Sequence, residues 1–431
     1  MAPFACDIDL VAVLFKFVYV IVVPVKAAKS SFRIAVADKF KLEAGGKTII
    51  RRLQSLYDNY NGVSNNINTE ADPDNFTHND TTSNHYNYNQ NIYSAYTVLT
   101  FTLPKSYSLQ VGARVEDTRI DGAPIEPTPL LSPYSNSYTV FIPTLAFSKT
   151  IKNSTYKLTY TKRIQRPSLT YLNPFFNTSN PTSYSVGNPQ LQPEISQYTE
   201  LNYSTYVGSS VINLSAYYKY TNNLIEGIAT PYKGSKSILL TQYENIGSNN
   251  SWGASFFGAI NPIKILTIRG SVNAYTYNPT PNGFYSTYQT DNSTYVSVNA
   301  FLSGSVNLNG GFAAESFVIL NTPKHTIQGT TPSFSLWIIG VKKEFWHKQA
   351  SVGLNTFDPF SENKAFNSKT VGTGYTQFSN TEFPFRSFGI SFSYHFGKVT
   401  FSDQQDPTQK KKGVNNDDLK QDQGGQGPSG R

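Results

Sequence analysis

Hydrophobic and polar side chains alternate one by one along much of this chain. Tyr107, Leu109, Val111, Ala113 and Val115 interleave with Ser108, Gln110, Gly112, Arg114 and Glu116. Val296, Val298, Ala300 and Leu302 interleave with Ser297, Asn299, Phe301 and Ser303. A period of two gives a strand one apolar and one polar face. Strands are predicted over 38–57, 91–103, 107–120, 134–150, 154–166, 195–207, 211–228, 237–260, 264–278, 292–307, 311–322, 333–347, 350–357 and 385–397, with a bulge near Gly247–Asn250.

The gaps between these strands alternate in length. Short ones fall at Pro104-Lys105-Ser106, Lys152-Asn153, Gly208-Ser209-Ser210, Asn261-Pro262, Asn309-Gly310-Gly311 and Lys348-Gln349. Long ones span 58–90, 121–133, 167–194, 229–236, 279–291, 323–332 and 358–384. Nothing in a soluble sandwich or propeller imposes that rhythm. In an outer-membrane barrel the periplasmic turns are short and the outer loops long. The predicted fold is all-β, a transmembrane antiparallel barrel with about fourteen strands in this chain. The first strand rises outward and the last ends at the periplasmic side.

The last strand puts Phe388, Ile390, Phe392, Tyr394 and Phe396 on one face and Gly389, Ser391, Ser393 and His395 on the other. It reads either as an amphipathic edge strand or as a terminal assembly signal carried by Gly389, Phe392, Tyr394 and Phe396. The signal reading makes the barrel-assembly machinery a partner. Residues 399–431 are rich in Gln, Gly, Asp and Lys, and are expected to be a disordered periplasmic tail. Residues 1–35 are apolar but a poor secretion signal, because Asp7 and Asp9 stand where basic residues belong. They are expected to be an atypical, truncated beginning. The barrel is expected over 36–398.

Composition agrees with a membrane wall enclosing a wet interior. Charged residues make up 15% of 431, aromatic ones 14%, with 29 Tyr and 29 Phe. Mean hydropathy is nonetheless −0.36. The most apolar run, Leu10–Val25, carries Lys16 and is too short to span as a helix. The net charge of +8 suits a solvated face or tail, or attraction to outer-membrane lipid and lipopolysaccharide. No Gly-rich phosphate loop or basic helix points to nucleic acid. A lone Cys6 excludes a disulfide framework and a cysteine-based metal site, and the lack of a basic and then apolar stretch before it argues against a lipid anchor.

One segment carries a motif. It runs Arg163-Ile164-Gln165-Arg166-Pro167, Asn173-Pro174-Phe175, then Gly187-Asn188-Pro189-Gln190-Leu191-Gln192-Pro193-Glu194 and Glu200-Leu201. It resembles the signature of TonB-dependent outer-membrane receptor barrels, and is most similar to the outer-membrane β-barrel family of Bacteroidota. The final strand and the Lys410-Lys411-Lys412 tail are similar to that family too. The resemblance covers about 38–420 and implies a receptor or transporter component for an unknown small solute. It also implies a plugged barrel of about 22 strands. About eight strands, the plug and the TonB-contacting segment are not visible. The chain therefore reads as part of such a barrel, and TonB is a partner only if an N-terminal plug exists. Asn188-Pro189 starts a turn, Pro193 holds the approach extended, and Glu194 opens a strand near the inner wall.

Arg166, Pro167, Gly187, Asn188, Pro189, Leu191, Pro193, Glu194 and Glu200 are thus expected at the barrel mouth, chiefly to fold a loop back into it. Tyr171, Phe175, Phe176 and Tyr184, in the same gap, suit either a sugar or flat ligand, or the pinning of loops together. His78, His85, His325, His347 and His395 show no metal-ligand spacing on one strand face. Glu70, Asp72, Asp74, Asn75 and Asp80 lack the glycine of a calcium loop. No Gly-x-Ser-x-Gly elbow appears. Neither an enzyme, nor a cofactor, nor a metal is expected. Two rival readings remain: a complete fourteen-strand porin or lipid channel, and a secreted adhesin or lectin.

Overall fold

The computed structural model describes residues 11–15, 19–36, 39–63, 76–79, 83–125, 132–178, 180, 182–235, 237–288, 293–347 and 349–394. Cys6, Phe396, His395, the tail and the carboxylates of 70–80 lie outside them.

Fifteen long strands pair antiparallel, each with the next in sequence. They are β1 Tyr19–Val36, β2 Phe40–Tyr57, β3 Asn84–Leu103, β4 Tyr107–Pro124 and β5 Tyr134–Ile151. Next come β6 Ser154–Gln165, β7 Glu194–Val207, β8 Ser210–Pro231, β9 Leu239–Ile263 and β10 Leu266–Pro281. The wall ends with β11 Tyr295–Asn307, β12 Phe312–Asn321, β13 Phe334–Phe345, β14 Ala350–Phe357 and β15 Ser387–Tyr394. Two short strands, Phe176–Asn177 and Ser183–Val186, join the same 17-stranded sheet. Among the described residues no pairing joins β15 to β1.

The predicted rhythm of tight turns and long connections stands, so the two rims differ. Period two also sets the faces. Val115 pairs with Phe141 and Val111 with Leu145. Leu158 pairs with Phe147 and Leu201, and Leu354 with Ile390. Many of these apolar side chains stand exposed on the outside, Ile390 at 81% and Phe141 at 55%. The opposite face carries Arg51, Gln90, Glu116, Thr118 and Ser196, all buried. An apolar exterior around a polar interior is the inverse of a soluble fold and fits lipid outside.

Two stretches differ from the sequence expectation. The wall begins at β1, inside the segment read as an atypical beginning; it pairs with β2 from Tyr19–Leu56 to Val36–Phe40. Its unbroken apolar start, Tyr19 to Val25, hides the alternation that marks the other strands. The last long gap is not irregular. Asn363–Gly372 and Tyr375–Pro384 form a hairpin of two ten-residue strands, the first of which pairs with Gly329–Thr330. Polar residues on both its faces gave no one-sided period.

The predicted bulge is present where Leu224 pairs with Gly247. Asn223 takes a left-handed φ of 54° there, and its amide donates to Pro193 O at 3.3 Å. Asparagine tolerates that conformation better than most side chains. The bulge lets the upper part of β8 bury Leu224, Ile225 and Ile228.

Candidate functional site

The connection between β6 and β7 folds back onto the polar concave face. Its short helix Leu169–Leu172 places Tyr171 and Leu172 in a core with Leu191, Tyr88 of β3, Ile120 of β4 and Ile225 of β8. Leu53, Tyr134, Tyr138, Leu169 and Tyr243 pack around it. Tyr171 and Tyr243 stack with centroids 4.1 Å apart.

Each motif residue has a definable part in holding this loop. Arg166 is 2% exposed; its Nη2 lies 2.5 Å from Glu116 Oε2, and its Nε donates to Thr118 Oγ1 at 3.2 Å. Arg114 Nε approaches the other oxygen of Glu116 at 3.1 Å. Pro167, buried beside Arg166, turns the chain out of β6. Gly187 N donates to Asn173 O at 2.9 Å, and Asn188 N to Tyr171 O at 2.7 Å. A Cβ on Gly187 would stand 2.3 Å from Asn173 O, so the close approach requires glycine. The Asn188 side chain donates to Glu244 at 3.0 Å and accepts from Gln190 N at 2.9 Å, the turn expected before Pro189.

The far end is held just as closely. Asn136 Nδ2 donates to Leu191 O at 3.1 Å and to Pro189 O at 3.4 Å. Asn245 accepts from Gln192 N and donates back to Gln192 O. Glu194 is buried, and its carboxylate accepts from Ile225 N at 2.7 Å. Glu200 lies lower on the same face, half-buried, paired in register with Thr159 and Tyr217.

The loop aromatics divide. Tyr171 belongs to the buried core. Phe176, Tyr184 and Tyr232 form a triangle with centroid separations of 5.2–5.5 Å, and Lys233 lies over Tyr232. Phe175 N donates to Asn173 Oδ1. Three of the four side chains therefore sit in packing contacts, and Phe175 is held through its backbone in a turn.

A second connection, 322–332, covers another part of the mouth. Ile327 packs with Leu224, Ile228 and Ile246, against Tyr277, Tyr285 and Tyr288. Gln328 reproduces the pairing of a strand residue: it accepts from Ala229 N at 2.8 Å and donates to Ala229 O at 2.9 Å. Tyr375, near the tip of the hairpin 363–384, also donates to Ala229 O, at 2.6 Å. Glu226 accepts from Ile327 N and from the Tyr277 hydroxyl.

Sequence spacing kept His78 and His85 apart, yet both reach one carboxylate oxygen. Asp58 Oδ1 lies 3.1 Å from His78 Nε2 and 2.8 Å from His85 Nε2. Partial burial pushes Asp58 up, but the bonds and charges of His85 and His78 outweigh it and hold the carboxyl below its ordinary 3.8. Among the described residues no group of three His, Cys, Asp or Glu side chains is arranged to hold a metal ion.

On β15, Phe392 pairs with Val352 and Tyr394 with Ala350, and Phe392 is 67% exposed on the outer face. Gly389 faces inward against Asn355.

A family model described as outer membrane protein beta-barrel family matches residues 27–394. The chain belongs to that family. It is a protein of the cell outer membrane. Solved structures show the same fold at low identity. The siderophore receptor PiuA from Acinetobacter baumannii aligns with TM-score 0.58 and 12% identity, over 85% of this chain and 56% of that one. The ferric-catecholate import receptor Fiu from K12 E. coli aligns with 0.56 and 11%, over 86% and 54%. The copper transporter OprC aligns with 0.55 and 12%, over 86% and 56%. The chain thus spans just over half the length of these structures. No curated protein matches the sequence.

The partners Glu116, Thr118, Asn136, Asn223, Glu244, Asn245 and Gln328 were not found by sequence reasoning. Period two does place Glu116 and Thr118 on the inner face. Nothing local reveals that a loop 50 residues away needs them.

Proposed function

We propose that this chain forms the wall and mouth of an outer-membrane receptor or transporter that captures a small solute at its long-loop rim. One observation carries the reading: the connections 167–193 and 322–332 are folded into the mouth and tied there by buried side chains. A built, rigid mouth suits recognition, because pre-ordered loops lose little entropy when a solute binds. An open porin has no use for such a cover. A secreted adhesin or lectin has no use for an apolar outer belt.

The neighbours' names point to metal ions and metal chelates as first probes. The aromatic cluster Phe176–Tyr184–Tyr232, its rings edge-on or tilted to one another, offers an aromatic surface for an organic ligand beside Lys233. TonB enters this reading only together with an N-terminal plug.

The test is electrical and calorimetric. The full chain, purified from outer membranes and placed in planar bilayers, is expected to hold no steady open conductance. Ferric catechol chelates, copper and oligosaccharides are then titrated by calorimetry. Saturable binding of one class that fails in Tyr184→Ala supports the receptor. A stable conductance of porin size, with no binding, would overturn it.

A further inference from the structure

The outer surface of β6–β10 is not uniform. Three successive rows of outward side chains can be read from the register. The lowest is Leu158, Leu201, Ala216, Ala254 and Ala274. Next toward the long-loop rim come Tyr160, Thr199, Tyr218 and Trp252, with Trp252 N donating to Thr276 Oγ1. Above them lie Lys162, Gln197, Tyr220, Asn250 and Asn278. The wall passes from aliphatic, through aromatic and hydroxyl, to amide and cation within two steps of the strand.

A groove of about 360 Å³ opens on this surface, lined by Tyr160, Gln197, Thr199, Tyr218, Tyr220 and Asn250. Its polar groups are already oriented. Tyr218 OH donates to Asn250 Oδ1 at 2.6 Å, and Tyr160 OH to Gln197 Oε1 at 3.2 Å. Both amide oxygens are thereby engaged as acceptors, and the NH₂ groups of Gln197 and Asn250 keep their donor capacity for a ligand. Trp252, 66% exposed, lies tilted with its ring centroid 4.8 Å from that of Tyr218 and presents a bare aromatic face.

We propose that this groove seats the sugar head of an acylated glycolipid of the outer leaflet. The position argues for it: the groove faces the bilayer, not the lumen, at the height where aliphatic wall gives way to polar wall. The chemistry argues for it as well. Amide and phenol groups match the dense donors and acceptors of a sugar, and an aromatic face matches its C–H surface. Lys162, in the top row, complements a phosphate on that sugar. Below, the alanines Ala216, Ala254 and Ala274 leave a shallow lane beside Leu158 and Leu201 for an acyl chain. The inference does not depend on which solute is captured at the mouth.

The test uses the full chain in detergent micelles. Diphosphoryl lipid A, and separately phosphatidylethanolamine with phosphatidylglycerol, are added and the bound lipid is read by native mass spectrometry. A single lipid A adduct is expected to outlast the phospholipids. Gln197→Ala/Asn250→Ala should weaken it about thirtyfold, the loss of two hydrogen bonds. Asn250→Asp, nearly isosteric, should weaken it too by setting a carboxylate against the phosphate. Thr139→Ala, outward-facing on β5, is the control and should retain the adduct. Heat-dependent gel mobility confirms that each variant is folded. Equal retention of phospholipid and lipid A, or folded Asn250→Asp that holds lipid A as well as the unaltered chain, would overturn the proposal.

Discussion

Gly187→Ala should unseat the loop that covers the mouth while leaving the wall intact. The added Cβ would meet Asn173 O at 2.3 Å, Asn173 N at 2.8 Å and Tyr171 O at 2.8 Å. All three are backbone atoms, so no side chain can rotate away. Reaching ordinary contact requires about 1 Å of separation between the two segments. That displacement breaks the bonds Gly187 N–Asn173 O and Asn188 N–Tyr171 O, now 2.9 and 2.7 Å. Two such bonds contribute about 2 kcal/mol. Disturbing the Tyr171–Tyr243 stack adds about 1 kcal/mol. The sum of about 3 kcal/mol raises transient opening of the loop roughly a hundredfold. Hydrogen exchange of peptides from 167–193, in the detergent-solubilised chain, reads this directly. Gly304→Ala meets nothing within 4 Å and serves as the control. Unchanged protection of 167–193 in Gly187→Ala would refute the steric argument.

Three further outcomes are expected. Glu116→Leu strips Arg166 of its buried carboxylate and should lower thermal stability by about 3–5 kcal/mol, whereas Glu116→Leu/Arg166→Met recovers most of that; equal unfolding temperatures for the single and double variants would contradict it. Phe392→Asp sets a carboxylate on the lipid face and should reduce insertion into the outer membrane far more than Ser393→Asp, read by heat-dependent gel mobility; equal insertion would reverse the face assignment. Because Asp58 titrates lower in the folded chain than unfolded, its ties to His78 and His85 stabilise above pH 3.8 and are lost as pH falls through the lower folded value. Exchange protection around 83–88 should collapse only below pH 3.8, and the collapse should vanish in Asp58→Asn.

The wall was largely legible because its physics is local. One-sided contact with lipid imposes period two, and each predicted strand from 38 onward has its counterpart. β1 escaped because Tyr19–Val25 is apolar on both faces. The hairpin 363–384 escaped because it is polar on both. At the mouth, the connection that carries the motif folds inward, and Glu194 is buried with its carboxylate on Ile225 N. Its partners were invisible for the opposite reason. Asn136, Glu244 and Asn245 come from strands far along the chain, and their bonds to Leu191, Asn188 and Gln192 exist only after the wall has curved. The same distance effect hid the meeting of His78 and His85 on Asp58.

The direction of the two edge strands carries a consequence. β1 leads into a tight turn, and β15 follows the long connection from 358; both descend toward the short-turn rim. They are parallel to each other, with thirteen strands between them along the wall. Closure by antiparallel pairing alone therefore demands an odd number of strands between them, and an even total around the ring. Whatever polypeptide completes the circle must both enter and leave the seam rising: its first and last strands run toward the long-loop rim. Any candidate partner or companion segment can be screened on that parity before a single side chain is considered.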